Sequence, residues 1–178
     1  RPPFRSIPTG VTPGKLVLIR HGETDRSEAV ANQWAGWHDA KLTKNGRAEG
    51  YRSGVRLKGA LHVDAAHASA LSRAIETLEQ GLEGVGQAGL AITTASELRE
   101  RAYGFLMGWR RSLVESVFGT ERFLPWRRGY DKDADRPPGA ENLADTQERA
   151  LPYFVEHILS RVLAGQTVEV SAHGNSLR

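Results

Sequence analysis

Two short apolar segments of this chain each run into a histidine that is followed by a glycine. Residues 16–19 lead into Arg20 and His21, and residues 167–172 lead into His173. A short aliphatic run that ends in turn residues is typical of a buried strand in a parallel sheet. Ligands bind beyond the carboxyl ends of such strands. If both strands lie near the centre of one sheet, the sequence predicts that the two imidazoles face one crevice.

Strand and helix patterns alternate along the chain. After the first strand, the predicted elements are a helix over 42–58 with Thr43 as N-cap, a strand over 63–68, a helix over 71–82, a strand over 91–94, a helix over 141–163 that contains Pro152, and a strand over 167–172. Residues 97–140 lack a clean period, so we expect loops and short helices that cover a site. This alternation predicts an α/β fold, a three-layer sandwich in which helices flank an open, mostly parallel sheet.

Two groups of glycines accompany the first two helical patterns. Glycines at 46, 50 and 54 are expected to weaken the helix over 42–58, because glycine is a poor helix former. Glycines at 81, 84, 86 and 89 lack the preceding strand and following helix of a nucleotide-binding loop. This second group therefore predicts a loose connection.

The composition excludes several classes of protein. With 39% hydrophobic and 25% charged residues, the 178-residue chain is typical of one globular domain and not of a disordered segment. There is no cysteine, which excludes disulfides, thiolate nucleophiles and cysteine-based metal sites. The net charge of +3 comes mainly from arginine and favours small anionic ligands over nucleic acid. No apolar run approaches the roughly 20 residues that cross a bilayer, so no membrane association is expected.

The amino-terminal residues differ from the rest of the chain. Residues 1–14 combine several prolines with Arg1 and Arg5 and contain no acid, which predicts an extended, basic, proline-rich arm ahead of a domain over 15–178. A remnant of an organellar targeting segment, mitochondrial for example, is the alternative interpretation. Because the chain does not begin with methionine, we expect it to belong to a longer protein.

Arginines supply the second sign of chemistry. Arg20, Arg73, Arg99, Arg101, Arg127 and Arg128 could converge on phosphate or carboxylate groups. The alternative is a set of solvated surface arginines, which is the better account of the Arg127–Arg128 pair taken alone. Arg20 differs because it follows four aliphatic residues, where a buried charge without an anionic partner is costly.

Glu100 is the best candidate for a proton donor. Arginines flank this carboxyl, and burial against Tyr103 or Phe105 would favour its protonated form. An ordinary ion-paired glutamate is the alternative. No metal is expected, because His62 and His67 lack the partners and spacing of a zinc site and are predicted to be structural. We assign His38 to a loop and His157 to a helix surface.

Several segments resemble a known family. The run Leu-Ile-Arg-His-Gly-Glu-Thr at 18–24 resembles the signature of the histidine phosphatase superfamily. Within it, the chain resembles the cofactor-dependent phosphoglycerate mutases in Gly-Trp-His-Asp at 36–39, Leu-Ser-Arg-Ala-Ile-Glu-Thr at 71–77, Glu-Arg at 100–101 with Tyr-Gly at 103–104, Trp-Arg-Arg at 126–128, and His-Gly-Asn-Ser-Leu-Arg at 173–178. The resemblance covers nearly everything after Lys15 and implies a phosphoglycerate mutase-like fold.

The resemblance also implies roles for individual residues. His21 would accept the phosphoryl group, Arg20, Arg73 and His173 would complete the phosphate pocket, and Glu100 would move protons. The residues implied to bind substrate are Thr24, Gly36, Arg101, Tyr103, Arg111, Arg127, Arg128 and Asn175. The implied reaction interconverts 3-phosphoglycerate and 2-phosphoglycerate, with 2,3-bisphosphoglycerate as phosphoryl primer and without a metal. The family further implies a cytoplasmic homodimer or tetramer.

The chain departs from the family pattern at several positions. Ala102 stands where the family has histidine, Arg111 where it has lysine, and Ala35 where it has a threonine that touches substrate. An asparagine of the loop after His21 lacks a clear counterpart, for which Ser27 or Asn32 could substitute. The segment between Arg128 and Glu141 is shorter than in typical mutases, and the helix and strand that usually follow position 178 are not present.

These departures keep two other functions open. A phosphohistidine-type phosphatase acting on small phosphorylated metabolites is favoured by the altered loop and the shorter segment, which could admit water. A catalytically impaired, mutase-derived structural subunit of a larger assembly is the third hypothesis. Nucleic-acid binding is disfavoured because the arginines lack interleaved aromatics or a known module.

Overall fold

Four parallel strands form the centre of the molecule. A computed structural model describes residues 10–27 and 29–178 and places β1 at Leu16–Arg20, β2 at Ala65–Ser69, β3 at Ile92–Ala95 and β4 at Val168–Ala172. The strand order is β1-β4-β2-β3, so consecutive strands are joined by crossovers. The predicted parallel α/β sheet is confirmed, with small shifts at the strand ends.

Helices follow the strands as the sequence pattern predicts. Their bounds are Lys44–Leu57 for α1, Ser72–Val85 for α2, Arg111–Phe118 for α3, Thr120–Arg128 for α4, Leu143–Tyr153 for α5 and Ser160–Leu163 for α6. The hydroxyl of Thr43 accepts the Gly46 N–H at 3.0 Å, which confirms the predicted N-cap of α1. Asn142 and Asp145 form a capping box at the start of α5.

The predicted helix over 141–163 is irregular. It contains a π-helical turn at Phe154–Leu159, soon after Pro152, whose missing N–H interrupts the regular hydrogen-bond ladder.

Two apolar layers cover the faces of the sheet. On one face, Ala66 and Ala68 of β2 pack with Leu78, Leu82 and other apolar residues of α2. On the opposite face, alternate residues of β4 pack against the chain between α5 and α6; this layer contains Val168, Val170, Ala172, Ile158 and Val162. The alternate β4 residue Glu169 faces α2 instead, where a Cβ atom at Gly81 would lie 3.4 Å from its Oε1. Helices thus lie on both faces of the sheet, and the predicted three-layer sandwich is confirmed.

The position of β1 corrects one prediction. This strand is apolar and was expected to be buried, but among the described residues it lies at the edge of the sheet and pairs only with β4. Leu16 and Leu18 are 37% and 48% exposed, and Arg20 is exposed as well. The expectation that Arg20 is buried was therefore wrong, because an exposed arginine keeps its hydration.

The glycines of α1 and α2 have a packing role that the sequence interpretation missed. A Cβ atom at Gly54 would lie 1.9 Å from the carbonyl oxygen of Gly81, and one at Gly84 would lie 2.2 Å from that of Tyr51. The glycines therefore let the two helices touch backbone to backbone. Gly81 and Gly84 belong to α2, so the predicted loose connection was wrong for these two residues.

Residues 97–140 form an insert with its own small core. As predicted, it consists of loops and short helices, including α3 and α4. The buried residues of this small core are Leu106, Val114, Phe123 and Trp126, and they pack around Trp34 from the loop after β1. This packing holds the insert against the loop that follows His21.

The first residues of the chain lie largely outside the structural description. Most of the predicted arm over 1–14 belongs to the undescribed residues 1–9, whereas the N–H of Gly14 donates to the carbonyl of Val162 at 2.8 Å. Among residues 10–27 and 29–178, no helix is long and apolar enough to span a membrane.

Candidate active site

A cavity of about 460 Å³ lies at the carboxyl end of β1. Eleven of the thirteen predicted catalytic and substrate-binding residues line it, all except Arg101 and His173: Arg20, His21, Thr24, Gly36, Arg73, Glu100, Tyr103, Arg111, Arg127, Arg128 and Asn175. They come from strand ends, from the amino-terminal turn of α2 and from the insert. The fold thus brings distant segments to one arginine-rich cavity.

His21 is held as a neutral imidazole with a defined tautomer. Its Nδ1 lies 2.8 Å from the carbonyl oxygen of Gly22, which can only accept a hydrogen bond, so Nδ1 carries the proton and Nε2 carries the lone pair. Burial, followed by the positive charge of Arg73, lowers the pKa of His21 to about 3, against the opposing hydrogen bond to Gly22. An imidazole in this state is a nucleophile at neutral pH.

His173 lies beside His21 but is held differently. The two ring centroids are 5.1 Å apart, and His173 is fully buried. Its Nε2 lies 2.8 Å from the Ser69 hydroxyl at the end of β2, while its Nδ1 has no hydrogen-bond partner among the described residues. Burial and then the charge of Arg73 hold the pKa of His173 well below its ordinary value. The two strand-end imidazoles therefore lie side by side as predicted, but His21 lines the cavity whereas His173 is buried behind its wall.

Arg73 is a buried cation at the base of the cavity. Its guanidinium donates to the carbonyl oxygens of Gly36 and His38, each at 2.8 Å, and its Nε has no partner among the described residues. Burial lowers the pKa of Arg73 to about 10, so it remains charged at neutral pH. The loop carbonyls fix its direction, and an anionic ligand would satisfy the remaining donor.

Glu100 lies on the wall of the cavity, and its carboxylate is oriented by main-chain donors. Its Oε1 accepts the N–H of Arg101 at 2.8 Å and that of Asn175 at 3.3 Å. Its carbonyl oxygen accepts the indole N–H of Trp37 at 2.7 Å. These contacts connect the candidate proton donor to both the strand end that carries His173 and the loop that holds Arg73.

Tyr103 and Asn175 form one side of the cavity together. The amide of Asn175 donates to the Tyr103 hydroxyl at 3.1 Å. Burial and, after it, the charge of Glu100 raise the pKa of Tyr103, so the phenol keeps its proton. Arg111 approaches from α3, where its guanidinium donates to the Asn32 side chain at 3.3 Å.

Arg101 differs from the other predicted substrate residues because it does not line the cavity. It is fully buried, and its guanidinium donates to the carbonyl oxygens of Glu141 at 2.6 Å and Gly129 at 3.4 Å. Its side chain is thus committed to the backbone of the insert. Ala102 is buried beside it, so this departure from the family pattern also falls outside the cavity, whereas Ala35 lies on the cavity wall.

Other residues at the site carry signals too weak for a single sequence to reveal. Those that line the cavity include Glu23, Arg26, Ser27, Gln33, Glu49 and Arg178. Arg26 spans the loop after β1, donating to Gln33 at 2.5 Å and approaching His38 at 2.9 Å. Ser69, at the end of β2, is the partner of His173. Only Ser27 was considered from sequence, as a substitute for a missing asparagine.

His67, predicted to be structural, has a partner away from the cavity. His67 is buried, and its Nδ1 lies 2.9 Å from the Tyr153 hydroxyl. In the part of the chain that the structure describes, no group of three or more His, Asp or Glu side chains is arranged to hold a metal ion.

Comparison with known proteins agrees with this geometry. The family model of the histidine phosphatase superfamily (branch 1) matches residues 16–178. The chain is 44% identical to the 2,3-bisphosphoglycerate-dependent phosphoglycerate mutase of Azorhizobium caulinodans over 164 residues, which is 92% of this chain and 77% of that protein. It is also 44% identical to the enzyme of the same name from Parvibaculum lavamentivorans over 167 residues, 93% of this chain and 77% of that protein.

Solved structures share the fold. A mycobacterial glucosyl-3-phosphoglycerate phosphatase in complex with VO3 is 27% identical, with a TM-score of 0.76 over 91% of this chain and 77% of the other. A phosphoglycerate mutase from Bacillus anthracis has a TM-score of 0.75 at 24% identity, over 92% and 76% of the two chains. On the match of fold, motif order and sequence, the chain belongs to branch 1 of the histidine phosphatase superfamily, among relatives named as 2,3-bisphosphoglycerate-dependent phosphoglycerate mutases.

Proposed function

We propose that this protein is a phosphoglycerate mutase that interconverts 3-phosphoglycerate and 2-phosphoglycerate through a phosphohistidine at His21. The observation that carries the proposal is the His21 imidazole, with Nδ1 tied to the carbonyl oxygen of Gly22, on the wall of an arginine-rich cavity. The 44% identity to enzymes of that name selects the mutase among phosphohistidine reactions.

The first step loads the enzyme. Nε2 of His21 attacks a phosphorus of 2,3-bisphosphoglycerate, forming an N–P bond while the bond from phosphorus to the glycerate oxygen breaks. Arg20, Arg73 and His173 hold the oxygens of the transferring group. Arginines are suited to this task because they keep their charge and donate in a fixed planar geometry. His173 contributes a hydrogen bond.

Proton transfer is assigned to Glu100. When the P–O bond breaks, the glycerate oxygen takes a proton from Glu100, and in the reverse direction the carboxylate accepts the proton of the attacking hydroxyl. Its two main-chain donors hold the carboxylate in place throughout. Transfer to either hydroxyl of the bound monophosphoglycerate gives the bisphosphorylated intermediate, from which the enzyme regains the other phosphoryl group.

The outer part of the cavity is proposed to bind the rest of the substrate. Arg111, Arg127 and Arg128 approach from the insert and suit the carboxylate and second phosphate. Thr24, Gly36, Tyr103 and Asn175 complete this region. Arg101 is given a structural role instead, because its guanidinium is occupied by backbone carbonyls.

A turnover assay tests the proposal. Purified protein is given 3-phosphoglycerate with and without a trace of 2,3-bisphosphoglycerate, and 2-phosphoglycerate and inorganic phosphate are both quantified. The proposal predicts conversion to 2-phosphoglycerate that depends on the primer, with little phosphate released. Release of phosphate without isomerisation would contradict it.

A phosphatase is the second candidate function. It is favoured by the similarity to a solved glucosyl-3-phosphoglycerate phosphatase and by Ala35, whose small side chain on the cavity wall leaves room for water. The same assay separates the phosphatase from the mutase. In a phosphatase, water and not the glycerate hydroxyl accepts the phosphoryl group from the phosphohistidine, so inorganic phosphate is released. The cytoplasmic location and the homodimer or tetramer stay predictions from the resemblance, as does the dispensability of metal.

A further inference from the structure

Arg149 of α5 makes three hydrogen bonds to the backbone of the segment that carries Glu100. One guanidinium nitrogen donates to the carbonyl oxygens of Glu97 at 2.6 Å and Arg99 at 2.9 Å. The second donates to the carbonyl oxygen of Glu100 itself at 2.9 Å. One side chain thus satisfies three backbone acceptors within four consecutive residues.

Glu141 completes the arrangement from the other side of the guanidinium. Its two oxygens accept from Nε and Nη2 of Arg149 at 2.7 and 2.8 Å, a bidentate pair whose side chains are 19% and 16% exposed. The N–H of Ala102 also donates to this carboxylate at 2.9 Å. Burial alone would raise the pKa of Glu141, but the hydrogen bonds from Arg149 and Ala102 outweigh it and lower the pKa.

We propose that Arg149 and Glu141, together called the clamp, position the Glu100 carboxylate for proton transfer; this rests on the function proposed above. The clamp holds the backbone on both sides of Glu100, at Arg99 and at Ala102. The Glu100 carboxylate is bonded to the N–H of the next residue, so its direction follows that backbone. Fixing the backbone therefore fixes the carboxylate.

The clamp also connects the proton-transferring group to the phosphate-binding group. The Glu100 carbonyl is shared between Arg149 and the indole N–H of Trp37. Trp37 lies between Gly36 and His38, the two residues whose carbonyls hold Arg73. A shift of the segment around Glu100 would thus move the loop carbonyls that orient the Arg73 guanidinium. Neither clamp residue lines the cavity, so both are positioning residues and not catalytic ones.

A double-mutant cycle tests the proposal. The clamp is removed as a whole with Arg149→Met and Glu141→Gln, which avoids a lone buried charge. This variant is expected to lower kcat about 30-fold with a change in KM below about threefold, because substrate still meets an intact arginine cavity. Glu100→Gln should lower kcat about 100-fold in the parent but less than about fivefold without the clamp, because a misplaced carboxylate has little left to lose.

Two further variants separate positioning from folding. Glu148→Gln is the matched control, since Glu148 is the neighbour of Arg149 on α5, is exposed and pairs with Lys132; it should leave kcat unchanged. Arg149→Lys keeps the charge beside Glu141 but cannot reach all three carbonyls. It is expected to restore part of kcat and to show a smaller coupling to Glu100→Gln.

The outcomes are decisive in both directions. Full, additive losses from Glu100→Gln in both backgrounds, or normal kcat without the clamp, would overturn the positioning role. If the clamp-free variant lacks a cooperative thermal transition, the cycle is run with Arg149→Lys, and additivity there overturns the role equally. Absence of turnover in the parent protein would instead remove the proposed function, and the clamp's role with it.

Discussion

Strands β1 and β4 lie side by side and both end in His-Gly, yet their environments are opposite. The apolar strand β1 has three exposed positions out of five, whereas every residue of β4 is buried although it contains Glu169 and Ser171. The register pairs exposed Leu18 with buried Val170. Burial here follows the position of a strand in the sheet and not its hydrophobicity, because in the described part of the chain β4 is flanked by two strands and β1 by one.

The same contrast separates the two histidines. His21 follows the edge strand, lines the cavity and has its Nδ1 tied to a carbonyl. His173 follows the central strand, is fully buried and has its Nε2 tied to Ser69. A nucleophile must reach its substrate, whereas a group that supports the transferring oxygens benefits from a rigid, water-free setting. The two similar sequence motifs are thus placed for two different tasks.

The largest expected effect comes from removing the nucleophile. His21→Ala should abolish phosphoenzyme formation and lower kcat by at least about 10⁴-fold, because the variant lacks the imidazole that forms the N–P bond. Rapid-quench measurement of the phosphoenzyme, with thermal unfolding as the folding control, provides the check. A normal phosphoenzyme in this variant would remove the distinction between the two histidines.

Loss of the second imidazole should be smaller and different in kind. We expect His173→Ala to slow phosphoryl transfer about 10²- to 10³-fold, the usual cost of losing one donor to a developing charge, with the phosphoryl group still on His21. Single-turnover kinetics and peptide mapping of the adduct measure both properties. The assignment would be reversed if His173→Ala, and not His21→Ala, eliminated the adduct.

The burial of β4 can be tested at Glu169 by the pH dependence of the free energy of unfolding. Both carboxylate oxygens lack a hydrogen-bond partner among the described residues, and burial raises the pKa of Glu169 to about 7. Because the folded state binds the proton more tightly than the unfolded state, this carboxyl costs stability as pH rises from about 4.5 through about 7. Glu169→Gln should therefore raise the free energy of unfolding by about 3 kcal/mol at pH 8 and by much less at pH 5. Denaturant titrations at the two pH values decide it, and equal differences at both would contradict the prediction.

The smallest effects are expected at Leu18 and Val170, the paired residues of β1 and β4, which directly compare the burial of the two strands. Val170→Ala removes two methyl groups from a 1% exposed site and should lower the free energy of unfolding by about 2 kcal/mol. Leu18→Ala removes more carbon but from a side chain that is 48% exposed, so we expect a loss below about 1 kcal/mol. Chemical denaturation of both variants measures the ratio, and a larger loss at Leu18 would show that β1 is covered in solution.

Much of this arrangement could be predicted from local sequence pattern. Hydrophobic period and capping residues locate the main helices and strands, as the Thr43 cap of α1 shows, and the strand-end histidines locate the cavity. Strand order cannot be read locally, so the exposure of Leu18 and Arg20 was missed. The backbone contact between Gly54 and Gly81 depends on how two helices meet, and no single helix reveals it.

The hydrogen-bond partners of side chains in the site could not be predicted from local sequence pattern either. Arg101 resembles a ligand-binding arginine in sequence, but the backbone carbonyls that occupy it come from residues 129 and 141. Ser69 and Arg149 gain their importance only from the groups they reach across the fold. Contacts of this kind arise from tertiary packing, so a single sequence carries no direct signal for them.

The central claim is tested most directly by the intact mass of the protein after incubation with 2,3-bisphosphoglycerate. The account predicts one acid-labile phosphoryl adduct, mapped to the peptide that contains His21, that is discharged by 3-phosphoglycerate with formation of 2-phosphoglycerate. The adduct should be absent from His21→Ala and retained by His173→Ala. A protein that folds normally but gains no adduct, or gains it on another residue, would contradict the account.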